Sequence, residues 1–95
     1  MNNPQKSIHA TFQGRVQGVW FRAWTAEKAT ALGLNGWVRN RTDGTVEAVF
    51  SGPADKVDAM LTKAKKGPML ARVDDILTKE IEPPTEVGFF KRDTV

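Results

Sequence analysis

The 95-residue sequence contains no cysteine and only one histidine, His9. Without cysteine, the chain can form no disulfide, no cysteine-ligated zinc site and no thiol nucleophile. No stretch approaches the run of about 20 apolar residues that a membrane-spanning helix needs. Residues 1–7 also lack the apolar segment of a signal peptide. We therefore expect a cytoplasmic protein that binds no membrane.

The composition predicts a globular chain. Hydrophobic residues make up 40% of the sequence and charged residues 26%, which distinguishes it from a disordered protein. The length allows one domain, spanning residues 1–95. Residues 1–6 are polar and include a proline, so we expect a frayed terminus there and order from about Ser7.

Positive charge is concentrated in the N-terminal part of the chain. Residues 1–41 contain six lysines and arginines but one acidic residue, Glu27, which gives this segment a net charge of +5. Arginine predominates, and its guanidinium group binds phosphate oxygens in a bidentate manner. This pattern favours a small anionic ligand or a phosphate backbone, although ordinary surface charge is an alternative.

The first half of the sequence predicts a strand followed by a helix. Apolar and polar residues alternate from residue 7 to residue 13, a period of two that is typical of a half-buried strand ending at Gly14. Residues 22–32 predict a helix that ends at Gly33. Its buried face comprises Phe21, Thr25, Ala29 and Leu32.

The second half predicts two more strands, a helix and a further strand. Residues 34–42 are read as a strand, and Asp43-Gly44 predicts a two-residue hairpin to a strand buried mainly through Val46, Ala48 and Phe50. Pro53 begins a helix that Gly67-Pro68 closes. Residues 71–82 are predicted to form the last long strand. Phe89-Phe90 is predicted to form a short segment after it. The apolar stripe of the second helix comprises Ala54, Val57, Met60, Leu61 and Ala64.

This order of elements predicts an α+β fold of the ferredoxin-like type, with the sequence βαββαβ. Both helices are expected to cover one face of an antiparallel four-stranded sheet, with a possible short fifth strand. The right-handed crossover makes the first two strands parallel and leaves room for the third strand between them. Such a fold carries many functions, so the function has to be argued from a site.

The segment GRVQGVWFR, residues 14–22, joins the first strand to the first helix. Backbone N–H groups of a glycine-containing turn and of a helix N-terminus can converge on an anion, and Arg22 stands beside them. The segment fits neither the phosphate loop of nucleotide triphosphatases nor the glycine pattern of dinucleotide-binding proteins. A phosphate that belongs to no nucleotide is therefore the better prediction.

The lengths of the next helix and strand predict that a second polar residue lies near this loop. The helix of residues 22–32 carries the chain away by about 15 Å. The strand from Leu34 returns it by about 20 Å, so Asn40 ends near the height of the loop. A carboxamide there can orient a water molecule, because it both accepts and donates hydrogen bonds.

The run GRVQGVWFR, the asparagine of GWVRN eighteen residues after its arginine, and DGTVEAVFSG resemble the acylphosphatase family over about residues 7–91. The resemblance implies a metal-independent hydrolase that uses no cofactor and acts on acyl phosphates. It also implies that Arg22 binds the phosphoryl group, that Asn40 positions the attacking water, and that inorganic phosphate binds as product. The phosphate cradle implied by the resemblance comprises Arg15, Val16, Gln17, Gly18, Val19, Trp20 and Phe21.

The chemistry is consistent with these residues. The leaving carboxylate has a conjugate acid of pKa roughly 4, so no general acid is needed. Preorganised N–H donors and a guanidinium stabilise the equatorial oxygens of the transition state. No carboxylate lies within residues 14–21, so we expect a phosphate oxygen of the substrate to accept the proton of the water. The tail GFFKRDTV matches the family less clearly and is predicted to leave the site untouched.

The sequence leaves two alternative functions. One is a ferredoxin-like module that binds RNA, but the segment GTVEAVF offers a single aromatic residue, Phe50, on the buried register, so no nucleic-acid partner is expected. The other is a module that binds acyl or carbamoyl phosphate without catalysis, for which the short chain is less suited. The expected oligomeric state is a monomer.

The aromatic and charged side chains that the resemblance leaves without a catalytic role have predicted positions in the fold. Trp24 and Trp37 are predicted to pack in the core, whereas Trp20 is either a core residue or part of a binding platform. His9 is predicted on the solvent side of its strand. Arg39 and Arg41 either steer substrate or solubilise the chain. The cluster Lys63, Lys65 and Lys66 is predicted at the C-terminal end of the second helix, where positive charge interacts favourably with the helix dipole.

Overall fold

A computed structural model describes residues 4–95. The chain forms five strands and two helices in these residues. They are β1 (Gln5–Arg15), α1 (Phe21–Ala31), β2 (Asn35–Asn40), β3 (Val46–Pro53), α2 (Ala54–Lys66), β4 (Arg72–Glu80) and β5 (Phe89–Lys91).

The strands form one sheet in the order β4-β1-β3-β2-β5. β1 pairs antiparallel with β3 and β4, and β2 pairs antiparallel with β3. This places β3 between the parallel strands β1 and β2, as the crossover rule predicts. The short fifth strand is present and pairs parallel with β2, so the sheet is mixed. The predicted ferredoxin-like α+β fold is confirmed.

The core lies between one face of the sheet and both helices. Alternate residues of the strands point toward the helices, because side chains of a strand alternate between its two faces. The apolar stripe of α1 packs against them through Phe21 and Ala29, and Phe12 lies 5.1 Å from the Phe21 ring. The fully buried aromatic residues of this core are Phe12, Phe21 and Phe50.

β3 is buried on both faces, not mainly on one as the sequence predicted. Every residue from Val46 to Ser51 is buried, including Glu47 and Val49 on the face away from the helices. Neighbouring side chains of β1 and β2 cover Glu47 on that face, where His9 and Arg39 bind its carboxylate. We call this the open face of the sheet, since α1 and α2 both lie on the other face. A strand at the centre of a sheet is shielded on both faces by the side chains of the strands that flank it.

Trp37 lies on the open face, so its predicted place in the core is wrong. The guanidinium groups of Arg39 and Arg92 lie 4.6 and 5.3 Å from the centre of its ring. Cation–π attraction of this kind stabilises an aromatic ring at a partly exposed site. Trp24, by contrast, packs against the core as predicted.

Two local predictions also need correction. The strand β1 begins at Gln5, and Gln5 and Lys6 pair with Pro53 and Gly52, so these two residues are ordered by the sheet instead of frayed. Residues 1–3 lie outside the described residues. The hairpin between β2 and β3 closes with a hydrogen bond from Arg41 N–H to the Thr45 carbonyl at 2.9 Å, which leaves three residues in the loop instead of two.

Candidate active site

A cleft of about 450 Å³ opens between the loop that precedes α1 and the paired ends of β2 and β5. The loop and the first turn of α1 form one wall. The end of β2 and the residues at and after the end of β5 form the opposite wall. The residues that line the cleft are Val16, Gly18, Trp20, Phe21, Arg22, Ala23, Asn40, Lys91, Arg92 and Asp93.

The start of the loop depends on Gly14. The pairing of β1 with β4 shifts between Gln13 and Gly14, which marks a bulge, and Gly14 has a φ of 124°. A Cβ atom at Gly14 would lie 2.2 Å from the Arg72 carbonyl oxygen, a distance that no side chain tolerates. Glycine is therefore required where the chain leaves the sheet.

Two valines anchor the loop to the core. The side chains of Val16 and Val19 are 1% and 5% exposed and belong to the hydrophobic cluster under the helices. Hydrophobic burial holds these residues in place. The burial of these two side chains thereby helps to fix the backbone between them over the cleft.

The backbone of the loop has the geometry of an anion-binding nest. Gly18 has a φ of 71° and Trp20 a φ of 67°, whereas Val19 and Phe21 have negative φ. Such alternation turns successive N–H groups toward one point. Within residues 4–95, no N–H group of residues 17–20 donates to a backbone carbonyl. These donors are available to an anion in the cleft.

The N-terminus of α1 adds to this electropositive end. Its N-cap residue, Trp20, makes no side-chain hydrogen bond, and its first turn contains no acidic residue. The free N–H groups and the dipole of the helix therefore face the cleft without a neutralising partner. Arg22 adds a full positive charge at the same place. This combination favours an anionic ligand.

Arg22 and Asn40 lie on opposite walls of the same cleft. The Nη1 atom of Arg22 donates to the Arg92 carbonyl oxygen at 3.4 Å, so the guanidinium reaches across to the segment after β5. Asn40 is the last residue of β2, and its carbonyl oxygen accepts from Val95 N–H at 3.3 Å. The juxtaposition expected from the lengths of α1 and β2 is found.

Three of the residues that the resemblance assigned to the cradle have side chains that do not line the cleft. Arg15 is exposed at the end of β1, opposite Arg72 of β4. Val19 is buried in the core. The side-chain amide of Gln17 donates to the carbonyl oxygens of Arg41 and Thr45, both at 2.7 Å, which ties the loop to the β2–β3 hairpin. Val16, Gly18, Trp20 and Phe21 do line the cleft.

Lys91, Arg92 and Asp93 also line the cleft, although the sequence predicts that the C-terminal tail leaves the site untouched. In the parallel pairing of β5 with β2, Val38 lies opposite Lys91. The residues after Lys91 therefore run level with Asn40, at the cleft. The signal for this was the apolar pair Phe89-Phe90 directly before the charged residues, since a short strand there must pair with an edge of the sheet.

Arg39 and Arg41 do not line the cleft. On the open face, both donate to the Oε1 atom of Glu47, Arg41 from its Nη1 atom at 3.0 Å. The Oε2 atom of Glu47 lies 2.8 Å from His9 Nε2, so His9 has a partner and is not simply a solvent-facing residue. Burial raises the pKa of Glu47, but the hydrogen bonds from Arg39, His9 and Arg41 outweigh burial and hold that pKa below its usual value. The two arginines therefore neutralise a buried carboxylate.

Residues 4–95 contain no group of three histidine, aspartate or glutamate side chains close enough together to hold a metal ion. No helix in this part of the chain has the length and apolar character that crossing a membrane requires.

Comparison with known proteins identifies the family. The acylphosphatase family model matches residues 8–91. An acylphosphatase of Rhodospirillum rubrum is 51% identical over 87 residues, which cover 92% of this chain and 96% of that protein. The solved structure of an acylphosphatase from Coxiella burnetii has a TM-score of 0.89 and 37% identity, and the match covers 95% of this chain and 94% of that chain. A structure of HypF from T. kodakarensis matches with a TM-score of 0.77 and 38% identity, over 94% of this chain but 12% of that chain. The chain belongs to the acylphosphatase family of hydrolases.

Proposed function

We propose that this protein hydrolyses acyl phosphates to a carboxylate and inorganic phosphate, with Arg22 and Asn40 as its catalytic residues. The observation that carries this proposal is the position of Arg22 and Asn40 in one cleft beside the nest of residues 17–20. The family supports the reaction class. The roles of the individual residues are inferred from geometry and chemistry.

The phosphoryl group binds in the nest. Its oxygens accept hydrogen bonds from the free N–H groups of the loop and from the start of α1, and the Arg22 guanidinium pairs with two of them. During the reaction, negative charge lies on the three equatorial oxygens. Donors that are already fixed before the reaction stabilise this charge without reorganisation. The loop supplies such donors because Val16 and Val19 anchor it.

Asn40 orients the attacking water. Its carboxamide oxygen accepts a hydrogen bond from the water, which directs an oxygen lone pair at phosphorus. The P–O bond to the acyl group breaks as the bond to the water oxygen forms, and the carboxylate leaves without protonation. Among residues 4–95, Asp93 is the one acidic residue that lines the cleft. A phosphate oxygen of the substrate takes the proton of the water, which yields dihydrogen or hydrogen phosphate.

The test is the hydrolysis of benzoyl phosphate by purified protein at neutral pH in excess chelator. The wild-type protein is expected to hydrolyse benzoyl phosphate under these conditions, and the Arg22→Ala variant is expected to lose this activity. Arg22→Lys is also expected to be nearly inactive, since lysine keeps the charge but lacks the planar fork. Arg72→Ala, which removes an exposed arginine outside the cleft, is the matched control and should match wild type.

The second candidate is a module that binds an acyl or carbamoyl phosphate without hydrolysing it. The match to a small part of HypF favours this alternative, because there a similar unit lies within a much longer chain. The near-complete overlap with the acylphosphatase of R. rubrum favours the enzyme. A folded wild-type protein that binds phosphate but leaves benzoyl phosphate intact would establish the module. The monomeric state and the cytoplasmic location remain predictions from the sequence.

A further inference from the structure

Trp20 is the exposed side chain of the loop wall of the cleft. Its side chain is 79% exposed although it lines the cleft, and its neighbours in the loop, Val19 and Phe21, are buried. Within the described residues, its ring makes no contact with another aromatic ring or with a cation. Because most of its surface is exposed, the indole contributes little packing energy to the fold.

The backbone of Trp20 is also strained. It is the one residue other than glycine that has a positive φ among residues 4–95. The left-handed region is unfavourable for a bulky side chain, and such strain persists at functional sites. Glycine or asparagine would satisfy the backbone there at lower cost. The indole is thus neither buried nor favoured by the local conformation.

The position of Asn40 indicates where the acyl leaving group lies relative to Trp20. In-line displacement places the attacking water and the departing oxygen on opposite sides of phosphorus. Asn40, which orients the water in the proposed function, belongs to the wall formed by β2 and β5. The acyl group therefore departs on the side of the phosphoryl group that faces away from Asn40. Of the side chains on the loop wall, those of Val16 and Phe21 are buried. Gly18 has no side chain, Arg22 is assigned to the phosphoryl group, and Ala23 carries only a methyl group, so Trp20 is the large exposed apolar side chain available to the acyl group.

We propose that Trp20 is a specificity-determining residue that stacks on the acyl group and favours acyl phosphates with a planar aromatic or extended apolar acyl part. This inference rests on the proposed function, since it uses the assigned role of Asn40. The flat indole face offers dispersion and apolar contact to an aryl ring but little to an acetyl group. The opposite wall, with Lys91, Arg92 and Asp93, offers charges and no comparable apolar surface.

The test compares kcat/KM for benzoyl phosphate and acetyl phosphate in wild type, Trp20→Ala, Trp20→Phe and Trp20→Gly. Trp20→Ala is expected to lower the benzoyl to acetyl ratio about five- to tenfold, as loss of one aromatic stacking contact predicts, and Trp20→Phe to retain much of it. Trp20→Gly should lose the preference without a decrease in Tm, because it relieves the positive φ. Leu77→Ala, which removes an exposed apolar side chain on β4, is the matched control and should leave the ratio unchanged.

The outcomes separate this inference from the proposed function. If wild type hydrolyses neither compound, the proposed function fails. If wild type hydrolyses both and the ratio stays the same in Trp20→Ala, the enzyme is established and the role of Trp20 is overturned. A fall in Tm for Trp20→Gly together with an unchanged ratio would show that the indole serves the fold.

Discussion

Gln17 and Arg41 are joined by a hydrogen bond of 2.7 Å from the side-chain amide of the first to the backbone carbonyl of the second. The same amide donates to the Thr45 carbonyl, also at 2.7 Å. Arg41 directly follows Asn40, so one side chain links the nest to the strand end that carries the proposed water-orienting group. Gln17 thereby sets the spacing between the two walls of the cleft without lining it.

Replacing Gln17 by leucine tests this link. Both carbonyls keep a backbone partner in the hairpin, from Gly44 N–H and Arg41 N–H, so the loss of stability should be small, about 1–2 kcal/mol. Catalysis depends on position more steeply, and we expect kcat to fall about tenfold or more. Steady-state kinetics with benzoyl phosphate and a thermal melt measure the two effects.

The matched control is Gln13→Leu, since Gln13 is exposed on β1 and, within residues 4–95, does not line the cleft. It should leave kcat unchanged. An activity of Gln17→Leu equal to that of the control, with a similar Tm, would show that the nest and Asn40 keep their spacing without the amide.

Asn40 should affect turnover far more than binding. Its side chain is half-buried and, within residues 4–95, forms none of the side-chain hydrogen bonds found in the fold, so Asn40→Ala should leave Tm nearly unchanged. Because the carboxamide is proposed to act on the water in the transition state, kcat should fall by about 10² or more. The inhibition constant of inorganic phosphate should stay at the wild-type value, since the nest and Arg22 remain. A parallel loss of phosphate affinity and turnover would contradict this division of roles.

The sequence predicted the elements that depend on local patterns. The alternation from Ile8 to Phe12, the stripe of α1 and the glycine-containing loop all arise from residues close together in the chain, and each was found in place. The proximity of Arg22 and Asn40 followed from the lengths of α1 and β2. These predictions needed no knowledge of contacts between distant segments.

The missed features depend on distant contacts. Trp37 lies on the open face, opposite its core neighbour Val38, and its ring is covered there by Arg39 and by Arg92, which is 55 residues away along the chain. β3 is buried on both faces because β1, β2 and the loop after β2 supply His9, Arg39 and Arg41, respectively, around Glu47. Lys91, Arg92 and Asp93 reach the cleft through a strand of three residues, too short for periodicity to reveal its partner.

Thr25 provides a prediction about stability alone. It is fully buried on α1, and within the described residues its hydroxyl oxygen is the one buried side-chain polar atom without a hydrogen-bond partner. An unsatisfied buried hydroxyl costs about 1–3 kcal/mol, so Thr25→Val, which keeps the shape, should raise stability by about 1 kcal/mol. Chemical denaturation measures this change, and kcat should stay at the wild-type value. An unchanged or lower stability would indicate that the hydroxyl does have a partner.

The ionisation of Glu47 makes the stability of the protein depend on pH. Its carboxylate has a pKa below the usual 4.5, because the hydrogen bonds from Arg39, His9 and Arg41 outweigh the effect of burial. A lowered pKa in the folded state means that the ionised form stabilises the fold fully above the unfolded pKa, and that this stabilisation is lost as the pH falls through the folded pKa.

Glu47→Gln should therefore be less stable than wild type by about 2 kcal/mol at pH 7, since it leaves two arginines facing a neutral group. The difference between the two proteins should shrink as the pH is lowered below 4.5, where wild type loses the benefit of the charge. Urea denaturation from pH 7 to pH 3 measures it, with Glu82→Gln, an exposed carboxylate, as the matched control. A difference that stays constant over this range would mean that Glu47 stabilises the open face by shape and hydrogen bonding, independently of its charge.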